Sequence, residues 1–247
     1  MPESITAVEI IRQSHQGISI RPFLVKADDG ETYFVKGLAK AGGPALISEV
    51  IGAELGIALG LPIPEWKLIS VPSQLIAFSA IPNVGDLGGG LAFASRAVKN
   101  ASDFSISNID RTPVSLRRRV LLFDFWVRNG DRCLGDWGGN VNLILDASGE
   151  LGVIDHNMAF DRQFSASDFM ETHVFRECGV FFRDLVVRQE HMDILGKAVD
   201  NWGTITALLP DDWLYRDRDN VDLTEPTVAE RLEMLDVFKD ELFWGAL

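Results

Sequence analysis

The sequence predicts an α+β fold of two lobes, a β-rich antiparallel N-terminal lobe over residues 1–84 and a mainly helical C-terminal lobe over 85–247, together one domain. Three observations predict it. Residues 5–36 hold three apolar, β-branched runs separated by short turn sequences. Residues 85–90 contain four glycines in six positions, a composition suited to a flexible connection between lobes. Residues 112–127, and most of the chain after Asp168, carry apolar side chains at helical spacing.

The elements follow in order. Residues 5–11 form the first strand, which Ser14-His15-Gln16-Gly17 breaks. Residues 21–26 and 32–36 are two more, joined by Ala27-Asp28-Asp29-Gly30-Glu31. An Asp-Gly pair between apolar runs signals a hairpin, because glycine accepts the positive φ of a tight turn. Three strands with short turns give an antiparallel meander. Residues 44–60 read as a helix, with Leu46, Val50, Ile51, Leu55 and Leu59 on one face, Gly60 at the C-cap and Pro62 preventing continuation. Residues 65–71 and 74–80 read as further strands. In the helix over 112–127, Arg117-Arg118-Arg119 is expected on a solvated face and the almost wholly apolar 120–126 in the core. Residues 142–145 and 151–154 form a hairpin around Asp146-Ala147-Ser148-Gly149, and the last element is an amphipathic helix over 228–243.

Composition narrows the function. At 247 residues, 47% hydrophobic and 24% charged, the chain is long enough to bury a sizeable core and is not disordered. A net charge of −13 repels nucleic-acid phosphates and anionic lipid, so neither nucleic acid nor membrane is an expected partner. An anionic nucleotide would need cations gathered locally. Two cysteines, Cys133 and Cys178, make neither a disulfide framework nor a zinc spacing. With no signal-like N-terminus and no apolar run long enough to span a bilayer, a cytoplasmic location is expected.

The chemistry is concentrated in one stretch. Arg128-Asn129-Gly130-Asp131-Arg132 is followed by a glycine-rich insertion and then Gly139-Asn140-Val141-Asn142-Leu143-Ile144-Leu145. Beyond the hairpin comes Gly152-Val153-Ile154-Asp155-His156-Asn157. Phosphoryl transfer needs a carboxylate to orient or deprotonate a hydroxyl, and oxygen ligands that hold Mg²⁺ against the phosphates. An Asp on a loop, an Asn at a strand start and an Asp at the end of the paired strand supply such oxygens. The hairpin returns the chain to its start, so Asp155 is expected beside Asn142.

This stretch resembles the catalytic loop of HipA-like kinases and is similar to that of type II phosphatidylinositol 4-kinases. The resemblance implies a protein-kinase-like fold and an ATP- and Mg-dependent kinase with Asp131 as catalytic base and Asn142 and Asp155 as metal ligands. Asn140 competes for the amide role; Asn142 is preferred because Leu143-Ile144-Leu145 follows it directly, as in the family pattern. Two departures stand out: the loop between Asp131 and Asn142 is longer than usual, and His156-Asn157 follows Asp155 where kinases carry Phe-Gly.

In the first lobe, Tyr33-Phe34-Val35-Lys36 resembles the kinase strand whose lysine contacts the α- and β-phosphates, and Glu49 is its implied partner. His15 to Ser19 stands where a phosphate-covering loop belongs, which gives Gly17 and Ser19 as nucleotide contacts. The segment of Phe78, Ser79 and Ala80 is implied as the adenine-facing hinge.

Each residue has an ordinary alternative: a solvated lysine, a surface glutamate, a turn aspartate. What lifts them is order, since Lys36, Glu49, Asp131, Asn142 and Asp155 follow one another as in kinases, each on the expected element. The expected acceptor is a hydroxyl, by analogy that of a protein Ser or Thr. A small-molecule phosphotransferase and a nucleotide-binding pseudokinase acting as an interaction module are the alternatives. Residues 161–247 carry no motif.

Overall fold

The turn at Asp28-Asp29-Gly30 closes a hairpin between β2 (Phe23–Ala27) and β3 (Thr32–Lys36), with Gly30 at φ 87° as the turn requires. β1 (Ser4–Gln13) pairs antiparallel with β2 and carries two bulge-like register shifts that bend it. The structure, a computed structural model, describes residues 4–14, 20–135, 138–217 and 219–247.

After β3 comes α1 (Leu38–Ala58), which starts before the expected residue 44 and is kinked at Gly42, where φ is 73°. The kink lets Pro44 sit near a fresh first turn, where its missing N–H is harmless. The C-terminus closes as the sequence implies. Gly60, at φ 70°, donates its N–H to Ile57 O and Leu61 donates to Gly56 O, the paired bonds of a Schellman cap.

β4 (Trp66–Val71) follows, but the strand expected over 74–80 is a short helix, α2 (Ser73–Ala77), behind Pro72. A short apolar run cannot distinguish a strand from one helical turn by periodicity. The next strand is β5 (Gly90–Arg96), which starts inside the glycine-rich stretch expected to link two lobes. It pairs antiparallel with β3 and with β4, and β4 returns to β1 in parallel, closing a barrel in the order β1-β2-β3-β5-β4. The parallel pair corrects a wholly antiparallel expectation; closure removes the exposed edges a meander would leave. Val25, Tyr33, Val35, Ile69 and Ala94 fill the interior without solvent contact.

The chain divides into two compact units that do not follow a single cut. The first holds Met1–Val50, Pro64–Lys99 and Ala207–Glu225; the second holds Ile51–Ile63, Asn100–Thr206 and Pro226–Leu247. Residues 85–90 therefore lie within the first unit.

In the second unit, β6 (Ser102–Asp103), β7 (Leu143–Leu145) and β8 (Leu151–Val153) form a small antiparallel sheet in that order. α3 (Val114–Trp126) buries every residue from Val120 to Trp126. Phe125 stacks edge-on or tilted against Phe164, Phe169 and Phe243, and the Trp126 indole donates to Leu235 O at 2.8 Å. Arg117, Arg118 and Arg119 are half-buried rather than solvated: Arg118 lies 4.5 Å over the Phe181 ring and Arg119 donates to the carbonyls of Leu59 and Gly60. Further on come α4 (Ala166–Thr172), a 3₁₀ segment (Arg176–Arg183), α5 (Leu185–Asp200) and α6 (Trp202–Thr206). The single helix expected over 228–243 is three pieces: α8 (Val228–Leu235), a 3₁₀ turn (Asp236–Lys239) and α9 (Glu241–Gly245). The Asp240 carboxylate accepts the Leu242 N–H, so an aspartate inside the periodic pattern starts a new helix instead of continuing the old one.

α7 (Asp211–Leu214) belongs to the first unit and buries Trp213 completely. A Cβ on Gly43 of α1 would lie 2.2 Å from the Trp213 carbonyl oxygen. Gly43→Ala should therefore destabilise the protein by about 1–3 kcal/mol through forced backbone displacement. Gly203→Ala, at an exposed position of α6 with nothing within 4 Å, should stabilise it by roughly 0.5 kcal/mol. Thermal unfolding of the two variants beside the parent checks both signs.

Candidate active site

Lys36 ends β3, where its partner across the ladder is Phe93 of β5. Its Nζ lies 2.6 Å from Oε1 of Glu49 on α1, with side-chain exposures of 7% and 2%. An ion pair so far from water is held by geometry, because removing either member leaves an unpaired buried charge. Two residues weak as separate signals are thus joined.

The segment that carries Asp131 begins at the end of α3. Asp124, fully buried, is the one charged residue in the stretch from Val120 to Trp126. Its carboxylate accepts from Arg132 Nε at 2.7 Å and Nη2 at 3.4 Å, from Asn129 Nδ2 at 2.9 Å and from His173 Nε2 at 3.0 Å. The Phe175 N–H donates to His173 Nδ1, which fixes the proton on Nε2. Burial holds the imidazole pKa below its usual value despite the Asp124 carboxylate beside it, which agrees with a neutral ring. Burial pushes Asp124 up, but the Arg132 charge and the His173 hydrogen bond outweigh it and bring the carboxyl down to about 2.

Arg132 reaches further. Its Nη1 donates to the carbonyls of Val141 (3.2 Å), Asn142 and Ile154 (3.3 Å). It therefore ties the backbone of the residues that precede β7 to the backbone that leaves β8. The hairpin contributes independently, with the Ile154 N–H donating to Asn142 O at 3.1 Å. Both Asn142 (φ 46°) and Asp155 (φ 62°) are left-handed, as is Arg128 (φ 54°) before the loop. Asn and Asp adopt this region more readily than most residues, and such conformations persist only where surrounding contacts over-determine them.

Asp131 stands at the centre. Its Oδ2 accepts from Asn140 Nδ2 at 2.7 Å and from Asn142 Nδ2 at 3.0 Å, and its N–H donates to Asn129 Oδ1 at 3.4 Å. Burial, and secondarily the negative charge of nearby Asp155, raises its pKa above the ordinary value against the two donated hydrogen bonds. His156, buried behind Asp155, meets Phe123 edge-on at 5.7 Å. It packs so closely under α1 that a Cβ on Gly52 would come within 2.6 Å of its own Cβ.

Asp131, Asn142 and Asp155, separate in the chain, are brought together. Asn142 gives its amide N–H to Asp131, so that its amide oxygen and the Asp155 carboxylate are the hard donors that would hold a metal ion here. Two protein oxygens suit Mg²⁺, which keeps several waters and binds largely through substrate phosphates. Among the described residues no group of three or more His, Cys, Asp or Glu forms a metal cage. Gly17 and Ser19 lie outside the described residues. Phe78 caps the end of α2 with its side chain 88% exposed, and the N–H groups of Phe78 and Ser79 already donate to Gln74 O and Ile76 O. Ala80 follows that turn.

Sequence reasoning missed Asp124, Arg132 and His173. The available signal was the lone carboxylate inside an otherwise apolar helical run, a pattern that demands a buried partner.

The family model for HipA-like kinases matches residues 7–247, and so extends through the last third, where no motif was legible. Among curated proteins the chain has no match. Among solved structures it is similar to a Helicobacter pylori proinflammatory kinase, CtkA, at 14% identity and a TM-score of 0.48, covering 99% of this chain and 96% of that one. It is similar also to CtTel1 in an open conformation (16% identity, TM-score 0.31, 94% of this chain and 11% of that one). A third likeness is to the MAP kinase LmaMPK10 from Leishmania major (7% identity, TM-score 0.25, 95% and 85%).

Asp124→Asn should cost about 3–5 kcal/mol at neutral pH by leaving Arg132 buried without its counter-charge. Because the folded pKa of about 2 lies below the ordinary 3.8, the stabilisation is complete above roughly pH 4 and is lost as pH falls toward 2. The gap between parent and variant should narrow by about 2 kcal/mol over that window, measured by denaturant unfolding at stepped pH.

Proposed function

The chain belongs to the HipA-like kinase family and is by that membership a phosphotransferase, and from this premise we propose that it transfers the γ-phosphate of ATP, with Mg²⁺, to the hydroxyl of a protein serine or threonine. The observation that carries this reading is the convergence of Asp131, Asn142 and Asp155 on one another, with Asn142 Nδ2 at 3.0 Å from Asp131 Oδ2 and the charge of Asp155 felt at Asp131.

Each residue takes the role its chemistry suits. Lys36, oriented by Glu49 at 2.6 Å, offers its ammonium to the α- and β-phosphates. Asn142 and Asp155 would hold Mg²⁺ through the amide oxygen and the carboxylate. The metal, when bound, neutralises charge on the β- and γ-phosphates. Asp131 accepts the hydroxyl hydrogen of the acceptor and aims the oxygen at the γ-phosphorus. As the new O–P bond forms, the bridging bond between the β- and γ-phosphates breaks, ADP leaves, and the hydroxyl proton passes to Asp131. Burial favours this carboxylate as a proton acceptor, since it raises the pKa from its ordinary value. Analogy with the family supports a protein hydroxyl as the acceptor. No described helix is long and apolar enough to cross a membrane, and a net charge of −13 disfavours an anionic lipid surface as the source of the hydroxyl.

Two substitutions separate the roles. Asp131→Asn should leave binding of ATP with Mg²⁺ nearly intact while lowering transfer by roughly 10²–10⁴-fold. Asp155→Asn should weaken Mg²⁺-dependent nucleotide binding and transfer together, because a charged metal ligand is lost. Isothermal titration paired with radiolabelled transfer measures both. Full transfer by Asp131→Asn would remove that residue from the reaction, and equal loss of binding in both variants would put Asp131 in the metal site.

A further inference from the structure

The insertion between Asp131 and Asn142 is folded back on itself. The Cys133 N–H donates to Asn140 O at 2.9 Å, and Gly135 and Gly138 exchange both backbone hydrogen bonds, at 3.0 and 3.2 Å. The Leu134 N–H is anchored to Thr172 O at 2.8 Å. Gly139 passes so close to the Cys133 backbone that a Cβ there would lie 2.2 Å from the carbonyl oxygen. These ties fix where the insertion ends, and it ends with the Asn140 carboxamide on Asp131. At 2.7 Å this contact is shorter than the 3.0 Å contact from Asn142.

Both amides reach the same oxygen. Asp131 Oδ2 takes both donated N–H groups, and among the described residues no donor meets Oδ1. Two donors on one oxygen restrict rotation of the carboxylate and leave its other oxygen without a donor among the described residues. An amide that gives its N–H to a carboxylate behaves as a donor there, which is the opposite of what a metal asks of it. Asn142 has reason to serve in both ways, since it leads directly into β7 beside Asp155. Among the described residues Asn140 has only the contact to Asp131 and the backbone tie to Cys133.

Resting on the phosphotransfer reading above, we propose that Asn140 is a positioning residue for Asp131: with Asn142 it clamps Oδ2 and leaves Oδ1 as the oxygen that meets the acceptor hydroxyl. The glycine-rich insertion then has a purpose in catalysis, delivering a second carboxamide to the catalytic carboxylate. The role is exerted through Asp131 alone, so its loss should disturb orientation of the acceptor and leave nucleotide and metal affinity untouched.

The test uses the full chain and two substitutions. Asn140→Ala removes the donor, and Asn140→Asp is nearly isosteric, keeps oxygen ligands and cannot donate from an ionised carboxylate. Both should lower kcat by roughly 10–100-fold, the scale of a misplaced catalytic group, with the KM for ATP and the half-saturating Mg²⁺ within about twofold of the parent. In an Asp131→Asn background, Asn140→Ala should cause no further loss, because a residue that acts through Asp131 has nothing left to act on. Retained activity in Asn140→Asp with a lowered Mg²⁺ requirement would make Asn140 a metal ligand and overturn the proposal. Unchanged kcat in Asn140→Ala, with an active parent, would overturn it while leaving the phosphotransfer reading in place. A parent that binds ATP but transfers nothing would overturn both.

Discussion

A carboxylate at full burial in an apolar helix is costly to place there, and Asp124 persists because each of its partners donates a hydrogen bond to it, one of them carrying a full positive charge. Arg132 satisfies Asp124 with one side of its guanidinium and uses the other on the carbonyls of Val141, Asn142 and Ile154. A planar fork of donors can make both sets of bonds at once, which a lysine ammonium could not. The helix end, the loop that carries Asp131 and the two limbs of the hairpin are thereby held by a single side chain. The backbone on either side of Asp131 and Asp155 is tied to that junction.

The junction also explains how unfavourable backbone survives where it is needed. Arg128, Asn142, Asp155 and Phe160 all have positive φ, and strained conformations of this kind cost of the order of 1–3 kcal/mol each. Each is tied to the same region. Asn142 O accepts from Arg132 and from the Ile154 N–H, Phe160 donates to Val127 O at 2.7 Å, and Asp161 donates to Arg128 O. The left-handed turn at Asp155 redirects the chain straight after β8, so its carboxylate comes close enough to raise the pKa of Asp131. Strain here sets the direction of the Asn142 and Asp155 side chains.

The first unit solves a different problem. Its barrel supplies a rigid strand end for Lys36, and α1 supplies Glu49, so that the two side chains are held against each other away from water. The C-terminal segment Ala207–Glu225 joins this unit and places the Trp213 carbonyl against Gly43, near the start of the helix that carries Glu49. The position of Glu49 therefore rests on residues more than 150 positions later in the chain as well as on its own helix.

Much of the fold was legible because it is local. The Asp-Gly turn between β2 and β3, the glycine cap of α1 and the Asp146–Gly149 turn are each specified by neighbouring residues, and the last of these put Asp155 beside Asn142 as expected. The order of Lys36, Glu49, Asp131, Asn142 and Asp155 was likewise in the sequence. Local patterns failed where a short apolar run fits two periods, as at α2, or where an aspartate restarted a helix, as at Asp240. They were silent on the parallel closure of β4 onto β1, on which carboxamides reach Asp131, and on the partners of Asp124, one of which, His173, lies 49 residues away. The sequence by itself determined the turns, the helix ends and the candidate residues, since these follow from the conformational preferences of adjacent side chains. Tertiary structure alone decided the barrel closure and the Asp124–Arg132 junction, since hydrogen bonds and buried charges depend on which distant segments share a space from which water is excluded.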